Sequence, residues 1–335
     1  MLRYLSLVAR NLFMPAIFVL LLPLSGVSQT ESSAPIKVGI IGLDTSHVIA
    51  FTKAFNDPSD KDHVAGFRVV AAYKGGSPDV EESWKRVDQF TAELRDKWNV
   101  EIVPDIPTLC AKVDVVMLES VDGRPHLEQV KPVFAAHKPV FIDKPLAGSY
   151  KDGKEIAELG KAAGVPWFTA SSLRFWSETE RLKDPQGIGH VLAYDVLGPT
   201  SREPHEPSMF NYGVHAVEML YQLMGPGCDA VSMQTSGNQD VLVGKWKDGR
   251  LGVMRGFSSG LYAFSITVYG DKGLAHSEDK PEGYGPLLVQ IAQFFKTHVP
   301  PVDPNESLEV LAFMETADRS VERGGVAVPL SEIMR

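Results

Sequence analysis

Two short motifs carry side chains that can move protons. Phe141-Ile142-Asp143-Lys144-Pro145 places an acid and a lysine at the end of an apolar run that is typical of a strand. In open α/β sheets, ligands bind outside the carboxyl ends of the strands. Pro145 biases Lys144 towards an extended conformation, so we expect its ammonium to reach into a crevice. An ammonium held there can hydrogen-bond a hydroxyl as it becomes a carbonyl, and can relay its proton.

A second motif occupies residues 211–215 and opens a predicted helix. His215 falls on the first turn of that helix, and a neutral imidazole near pH 7 is a natural proton acceptor. Either motif alone is also compatible with a structural role, as a solvated lysine at a strand end or a histidine at a helix start. Their presence in one chain favours acid–base chemistry shared by Lys144 and His215.

Residues 37–47 are typical of the first strand and turn of a dinucleotide-binding βαβ unit. In the pattern GxGxxG the glycines allow a tight turn, approach of the pyrophosphate and close helix packing. Gly42 holds the first position, but Asp44 and His47 replace the other two glycines. The Asp44 carboxylate would repel a diphosphate, whereas a helix start capped by Thr45 or Ser46 still favours an anion. The candidate nucleotide-contacting residues of this segment are Gly39, Gly42, Asp44, Thr45, Ser46 and His47.

Composition limits the functional class. The chain has 335 residues, 44% hydrophobic and 22% charged, with a net charge of −9, which is typical of one large or two medium globular domains. No basic run is present, so nucleic acid is not an expected partner. Cys110 and Cys228 are the only cysteines, and we expect buried, small apolar side chains rather than a disulfide.

Residues 1–28 are typical of a Sec-type signal peptide cleaved near Ser28. Arg3 and Arg10 precede the apolar run Leu12–Leu24, and small residues follow it. The alternative is a single N-terminal membrane anchor, but the run is short for a span. We therefore expect an exported protein, periplasmic or extracellular, with no membrane span in the mature chain.

Hydrophobic periodicity predicts two domains. Strand-like runs alternate with amphipathic helices between residues 35 and 170, which indicates a Rossmann-like domain with a parallel, doubly wound sheet. The predicted strands are Val38–Ile41, Phe67–Tyr73, Asp114–Leu118, Pro139–Ile142 and Val165–Thr169. Residues 171–335 predict an α+β domain with an open antiparallel sheet. Its predicted strands are Val191–Leu197, Val241–Trp246, Leu251–Phe257 and Phe264–Tyr269, with helices at Val214–Met224, about 285–298 and 305–323.

These motifs together resemble the Gfo/Idh/MocA family of sugar-active oxidoreductases. Asp143-Lys144-Pro145 matches the Glu-Lys-Pro motif of that family, with Asp for Glu, and residues 211–215 match its Asp-x-Gly-x-His pattern. The resemblance implies NAD(P)-dependent hydride transfer on a sugar or polyol derivative, with NAD or NADP as cofactor. It also implies a homodimer or homotetramer.

The resemblance assigns roles residue by residue. Lys144 and His215 would be the acid–base pair, and Asn211 would orient the sugar. Arg174 and Tyr212 would line the substrate site. Asp143 and Glu119, at the ends of neighbouring strands, would lie beside the cofactor, Glu119 next to the nicotinamide. We predict no metal site.

Departures from the family pattern define an alternative. The acid that commonly holds the adenosine ribose is missing after the second strand, where Lys74 could instead meet the 2′-phosphate of NADP. Asn211 replaces the family's acid, and export separates the protein from the cytoplasmic nucleotide pool. The alternative is an exported, non-redox carbohydrate-active lyase or hydrolase, or a sugar-binding protein that has lost NAD binding.

Overall fold

The computed structural model describes residues 34–207, 209–278 and 280–335. The predicted signal peptide at residues 1–28 lies outside the described residues. Within the described part, residues 34–335 form one compact unit. No helix in that part is both long and apolar enough to cross a membrane.

The first sheet is parallel throughout, as predicted. It contains β1 (Ile36–Ile41), β2 (Phe67–Tyr73), β3 (Glu101–Val103), β4 (Val115–Leu118), β5 (Val140–Asp143) and β6 (Trp167–Ala170). The strand order is β3-β2-β1-β4-β5-β6, which puts the ends of β1, β4 and β5 side by side. The strands β4, β5 and β6 are buried along their whole length, because helices cover both faces of a parallel sheet.

Helices connect the strands and cover the two sheets. They are α1 (Ser46–Asn56), α2 (Glu81–Trp98), α3 (Ile106–Cys110), α4 (His126–Ala135), α5 (Tyr150–Ala163), α6 (Ser177–Lys183), α7 (Gly213–Met224), α8 (Gly285–Thr297) and α9 (Pro304–Glu322). Thr45 is the N-cap of α1 and accepts a hydrogen bond from the His47 N–H. The first turn of α1 therefore begins directly above the end of β1.

The second sheet is mostly antiparallel, as predicted, and contains one parallel pair of strands. It contains β7 (Val191–Pro199), β8 (Cys228–Ser236), β9 (Gln239–Trp246), β10 (Leu251–Phe257), β11 (Ser265–Gly270), β12 (Gly273–His276) and β13 (Val328–Pro329). The order is β12-β11-β7-β10-β9-β8-β13. Strand β7 pairs in parallel with β10 and antiparallel with β11. Helix α7 and the β8–β9 hairpin lie between β7 and β10 in the chain.

Helix α8, which follows the second sheet's strand β12, returns to pack against the first sheet. Its Phe294 packs edge-on against Phe168 of β6, with ring centroids 5.0 Å apart. Leu287 and Ile291 belong to the same buried cluster. This return holds the preceding residue Tyr284 over the ends of the first sheet's strands. Cys110 and Cys228 are both free and buried, as predicted.

Candidate functional site

A cavity of about 570 Å³ opens above the carboxyl ends of β1 and β5. It lies between the first sheet and the start of α7. From the first sheet it is lined by Thr45, Ser46, His47, Glu82, Arg86, Val121 and Lys144; from the second half of the chain by Ser172, Leu173, Asn211, Tyr212, His215, Tyr262, Ala263, Phe264, Lys280, Pro281, Gly283 and Tyr284. The two predicted acid–base residues, Lys144 and His215, therefore meet in one cavity.

Lys144 lies at the end of β5, immediately after Asp143, the last residue of the strand. Only 7% of the residue is exposed, and its peptide bond to Pro145 is cis. Its side chain lines the cavity at the carboxyl end of the first sheet.

His215 enters the cavity from the first turn of α7. Its Nδ1 lies 2.7 Å from the Ser171 hydroxyl, which leaves Nε2 as the nitrogen that can meet a ligand. Burial, reinforced by the positive charges of Lys144 and His47, holds the pKa of His215 well below its usual range. The imidazole is therefore neutral at pH 7 and can accept a proton. Ser171, which orients the ring, was not predicted from the sequence.

A cluster of three ionisable side chains lies beneath Lys144. His47 Nδ1 is 2.8 Å from Asp143 Oδ2 and 3.7 Å from Glu119 Oε2. His47 comes from the first turn of α1, Glu119 follows β4, and Asp143 ends β5. All three are buried. We call them the strand-end triad.

The three members of the strand-end triad differ in their pKa shifts. Burial opposes protonation of His47, but the charge of Asp143 and contacts with both carboxylates raise the pKa of His47 to about 10. Burial also acts against ionisation of Asp143, yet His47 and Lys144 lower the pKa of Asp143 to about 2. Burial raises the pKa of Glu119 to about 7 in spite of His47. Asp143 is therefore the ionised partner of the protonated His47 ring. Glu119 changes its protonation state near pH 7.

Aromatic rings fix the orientation of His47. Phe51 stacks on it with ring centroids 5.2 Å apart, and Tyr284 meets it edge-on at 4.7 Å. Tyr284 stands immediately before α8. It could not be found from the sequence, since more than two hundred residues separate it from His47.

The substrate end of the cavity contains two predicted residues, Asn211 and Tyr212. The ring of Tyr212 meets Tyr262 edge-on at 5.9 Å, and both tyrosines line the cavity. Glu206 lies close enough to Lys144 and Asp122 for their charges to change its pKa. Burial first, and then the charge of Asp122, raises the pKa of Glu206 to about 7. Tyr262 and Glu206 carry no local sequence signal.

Asp44 is fully buried at the turn after β1. The Ser83 hydroxyl donates to Asp44 Oδ2 at 2.7 Å, and the Val121 N–H donates to Asp44 Oδ1 at 3.1 Å. Burial raises the pKa of Asp44 despite these hydrogen bonds. The carboxylate thus occupies the position of the second glycine and is satisfied within the protein.

The backbone N–H groups of the same turn also have hydrogen-bond acceptors within the protein. The Gly42 N–H donates to the Tyr73 carbonyl at 3.0 Å, and the Leu43 N–H donates to the Lys74 carbonyl at 2.8 Å. Gly42 has a φ of +84°, and a Cβ there would lie 2.3 Å from the Ser120 hydroxyl oxygen. This glycine is required by a close approach of β4 whether or not a nucleotide binds.

Two further contacts join the loops that follow β2 and β4. The Ser77 hydroxyl donates to Asp122 at 2.6 Å. Arg124 donates to Asp79 through both terminal nitrogens, at 2.8 and 2.9 Å, and also to Asp122. These hydrogen bonds tie the two loops together near Asp44, since the Ser77 N–H also donates to the Ser83 hydroxyl.

Three candidate residues lie elsewhere than expected. Arg174 was predicted to contact substrate, but it is 2% exposed and forms ion pairs with Glu218 and Glu306. It does not line the cavity, because α7 and α9 enclose it. Lys74 is half-exposed and pairs with Asp88 at 2.6 Å. Gly39 lies within β1 and packs against α3. A Cβ at this position would lie 3.0 Å from side-chain atoms of Leu109 and Val113, so the glycine serves packing.

His126 has a structural role. It is fully buried at the start of α4. Its ring nitrogens lie 2.9 Å from the Ser120 carbonyl and 3.2 Å from the Leu146 carbonyl. The imidazole therefore links the loop after β4 to the loop after β5 and does not reach the cavity.

Comparison with known proteins gives consistent results. Residues 36–171 match the Gfo/Idh/MocA model, which describes an oxidoreductase family with an NAD-binding Rossmann fold. A myo-inositol 2-dehydrogenase from Thermotoga maritima is 28% identical over 217 residues, 57% of this chain. The chain spans 65% of the length of that curated relative.

Solved structures share the fold over nearly the whole chain. Scyllo-inositol dehydrogenase from Lactobacillus casei, with bound NAD(H) and scyllo-inositol, has a TM-score of 0.73 at 13% identity, covering 89% of this chain and 99% of its own. Myo-inositol dehydrogenase from the same organism, in complex with NAD(H) and myo-inositol, has a TM-score of 0.68 at 17% identity, covering 88% and 96%. The family match over residues 36–171 shows an NAD-binding Rossmann domain of the Gfo/Idh/MocA oxidoreductase family, and the solved structures show the same fold over the rest of the chain.

Proposed function

We propose that the protein is an NAD(P)-dependent oxidoreductase that acts on a sugar or polyol derivative. The observation that carries this proposal is the meeting of Lys144 and a neutral His215 in one cavity at the strand ends. The inositol dehydrogenases named above act on cyclic polyols, so a polyol of similar size is the first substrate class to test.

Lys144 and His215 differ in charge, which suits them to different steps. The Lys144 ammonium donates a hydrogen bond to the reacting hydroxyl and stabilises negative charge on its oxygen. His215 Nε2 accepts the hydroxyl proton, provided that Nδ1 carries a proton and donates it to Ser171. Asn211, being neutral, orients a further hydroxyl without competing for the proton.

The residues fit a dinucleotide unequally at its two ends. Next to Lys144, where the nicotinamide would lie, the cavity is open, and Thr45 and Ser46 at the start of α1 also line it. When bound there, the nicotinamide supplies the hydride acceptor. At the diphosphate end, the Asp44 carboxylate takes the hydrogen bonds of Ser83 and Val121. Nucleotide binding therefore requires that these contacts open.

A titration of the purified protein tests the proposal. NAD and NADP are added while intrinsic fluorescence is followed, and reduction is then measured with myo-inositol, scyllo-inositol and simple aldoses. We expect saturable binding and polyol-dependent formation of the reduced nucleotide. Lys144→Met should abolish turnover, whereas Lys131→Met, a surface lysine paired with Glu128, should not. Absence of nucleotide binding at millimolar concentration would reject the proposal.

One observation favours a second candidate. The closed diphosphate end suits a non-redox, carbohydrate-active lyase or hydrolase, or a sugar-binding protein, on the same scaffold. In that case the sugar would bind or be cleaved without any nucleotide. Mass analysis of sugar products formed in the absence of NAD(P) separates an enzyme of this kind from a binding protein.

Export and self-association are further proposals. The N-terminal sequence supports a periplasmic or extracellular location, which fractionation of the native cells would test. The open face of the second sheet supports a homodimer or homotetramer, since Leu197, Val241, Val243 and Val253 are only half-buried there. Light scattering of the purified protein at several concentrations gives the oligomeric state.

A further inference from the structure

The strand-end triad contains buried polar atoms that the protein leaves without partners. Both carboxylate oxygens of Glu119, both of Asp143, and Nδ1 of His47 have no hydrogen-bond partner. The 2.8 Å approach of His47 to Asp143 lacks the alignment of a hydrogen bond, although it is within ion-pair distance. Buried polar groups in folded proteins are nearly always satisfied, so five such atoms in one place require an explanation.

The geometry of the three side chains suits a metal ion. One ligand atom from each of His47, Glu119 and Asp143 lies within 4.8 Å of the others. Ligands at about 2.1 Å from an ion are separated by about 3.0 to 3.4 Å in octahedral or tetrahedral sites. The observed separations of 2.8 and 3.7 Å from His47 Nδ1 bracket this range.

We propose that the strand-end triad binds one divalent transition-metal ion, of the Zn²⁺ or Mn²⁺ type, through His47, Glu119 and Asp143. An imidazole combined with two carboxylates suits these ions better than Mg²⁺, which prefers oxygen ligands alone. The two carboxylates neutralise the charge of the ion. Among the described residues next to the triad, the Lys144 ammonium is the one positive charge that we identify as repelling a bound cation.

The site has the rigidity and the opening that a functional metal centre needs. Its ligands stand at the ends of three adjacent strands, and Phe51 and Tyr284 hold the His47 ring. Glu119 and Asp143 are buried, whereas His47 lines the cavity. Three protein ligands leave coordination positions free on the cavity side. Vicinal hydroxyls of a sugar or polyol are oxygen donors that fit those positions.

Calorimetry of the protein, first depleted of metal with EDTA, tests the proposal without any activity assay. We expect ZnCl₂ and MnCl₂ each to titrate one site. MgCl₂ should bind much more weakly. Glu119→Gln, Asp143→Asn and His47→Gln should each weaken Zn²⁺ binding by about 100-fold or more. Glu82→Gln removes a carboxylate from the same cavity and should leave binding unchanged.

A spectroscopic measurement on the unaltered protein covers the case in which the variants do not fold. Co²⁺ added to the metal-free protein should give visible bands of a nitrogen- and oxygen-ligated ion, which Zn²⁺ then displaces. No saturable uptake of Zn²⁺ or Mn²⁺ at millimolar concentration, or no Co²⁺ bands, would overturn the proposal. So would unchanged binding in all three folded variants, since the triad would then be a plain ion pair. The NAD(P) titration is independent of each of these results.

Discussion

The Ser83 hydroxyl donates a 2.7 Å hydrogen bond to the buried carboxylate of Asp44, and this contact joins the turn after β1 to the start of α2. It places a negative side chain where the second glycine of a dinucleotide turn would stand. The carboxylate accepts a hydrogen bond from the Val121 N–H, a donor that a bound phosphate could otherwise use.

Replacing Asp44 should therefore strengthen nucleotide binding. Asp44→Gly frees the Ser83 hydroxyl and the Val121 N–H and removes a charge that repels a diphosphate. We expect the Kd for NAD to fall by about tenfold or more, which corresponds to about 1.4 kcal/mol. Fluorescence titration measures it. Asp60→Asn, which removes a surface ion pair with Lys53, is the control. An unchanged Kd for Asp44→Gly contradicts the expectation.

Lys144 and His215 should be needed for turnover rather than for nucleotide affinity. General acid–base groups contribute about 10²- to 10⁴-fold in rate, so Lys144→Met and His215→Asn should each lower kcat/KM for the polyol by that amount. Steady-state kinetics combined with an NAD titration separates the two effects. A large loss of NAD affinity with unchanged kcat would assign these residues to cofactor binding instead.

Glu206 should make stability depend on pH. Its pKa in the folded protein is about 7, raised from 4.5 chiefly by burial. Between these values the folded state binds more protons than the unfolded state, so stability falls as pH rises through this window. Solvent screening at the partly exposed Glu206 limits the effect to about 1–2 kcal/mol.

The Glu206→Gln variant makes this contribution measurable. It should be as stable as the parent near pH 4 and more stable near pH 8, because glutamine mimics the protonated form. Urea unfolding at both pH values gives the difference. Glu322→Gln, at an exposed carboxylate on α9, should show no such divergence, and an equal effect of Glu206→Gln at both pH values would refute the assignment.

Arg174 should contribute to stability and not to substrate recognition. Arg174→Met leaves Glu218 buried without its partner, and breaking a buried ion pair costs about 3–5 kcal/mol. Urea unfolding should reveal this loss, and the double variant with Glu218→Gln should recover part of it. The KM of the folded variant should stay close to that of the parent. A selective rise in KM without a loss of stability would restore the original substrate assignment.

Local sequence patterns were sufficient for much of the fold. Alternating strands and helices predicted the parallel first sheet, and the motif around Lys144 predicted its position at the end of β5. Strands β3, β8, β12 and β13 were not predicted. Strands β3, β12 and β13 are short, and the half-exposed β8 has a weak apolar pattern. The parallel pairing of β7 with β10 depends on the path of the chain between them, which periodicity does not describe.

The sequence by itself determined the family resemblance, the two motifs that carry the candidate acid–base residues and the unusual residues of the glycine turn, because each motif consists of residues that are close in the chain. The tertiary structure alone decided what those residues contact. Parallel strand ends bring His47, Glu119 and Asp143 together from distant positions, α8 carries Tyr284 onto His47, and the packing of α7 with α9 encloses Arg174. These contacts join residues that are far apart in the chain, and a local sequence pattern does not identify the residue that packs against it.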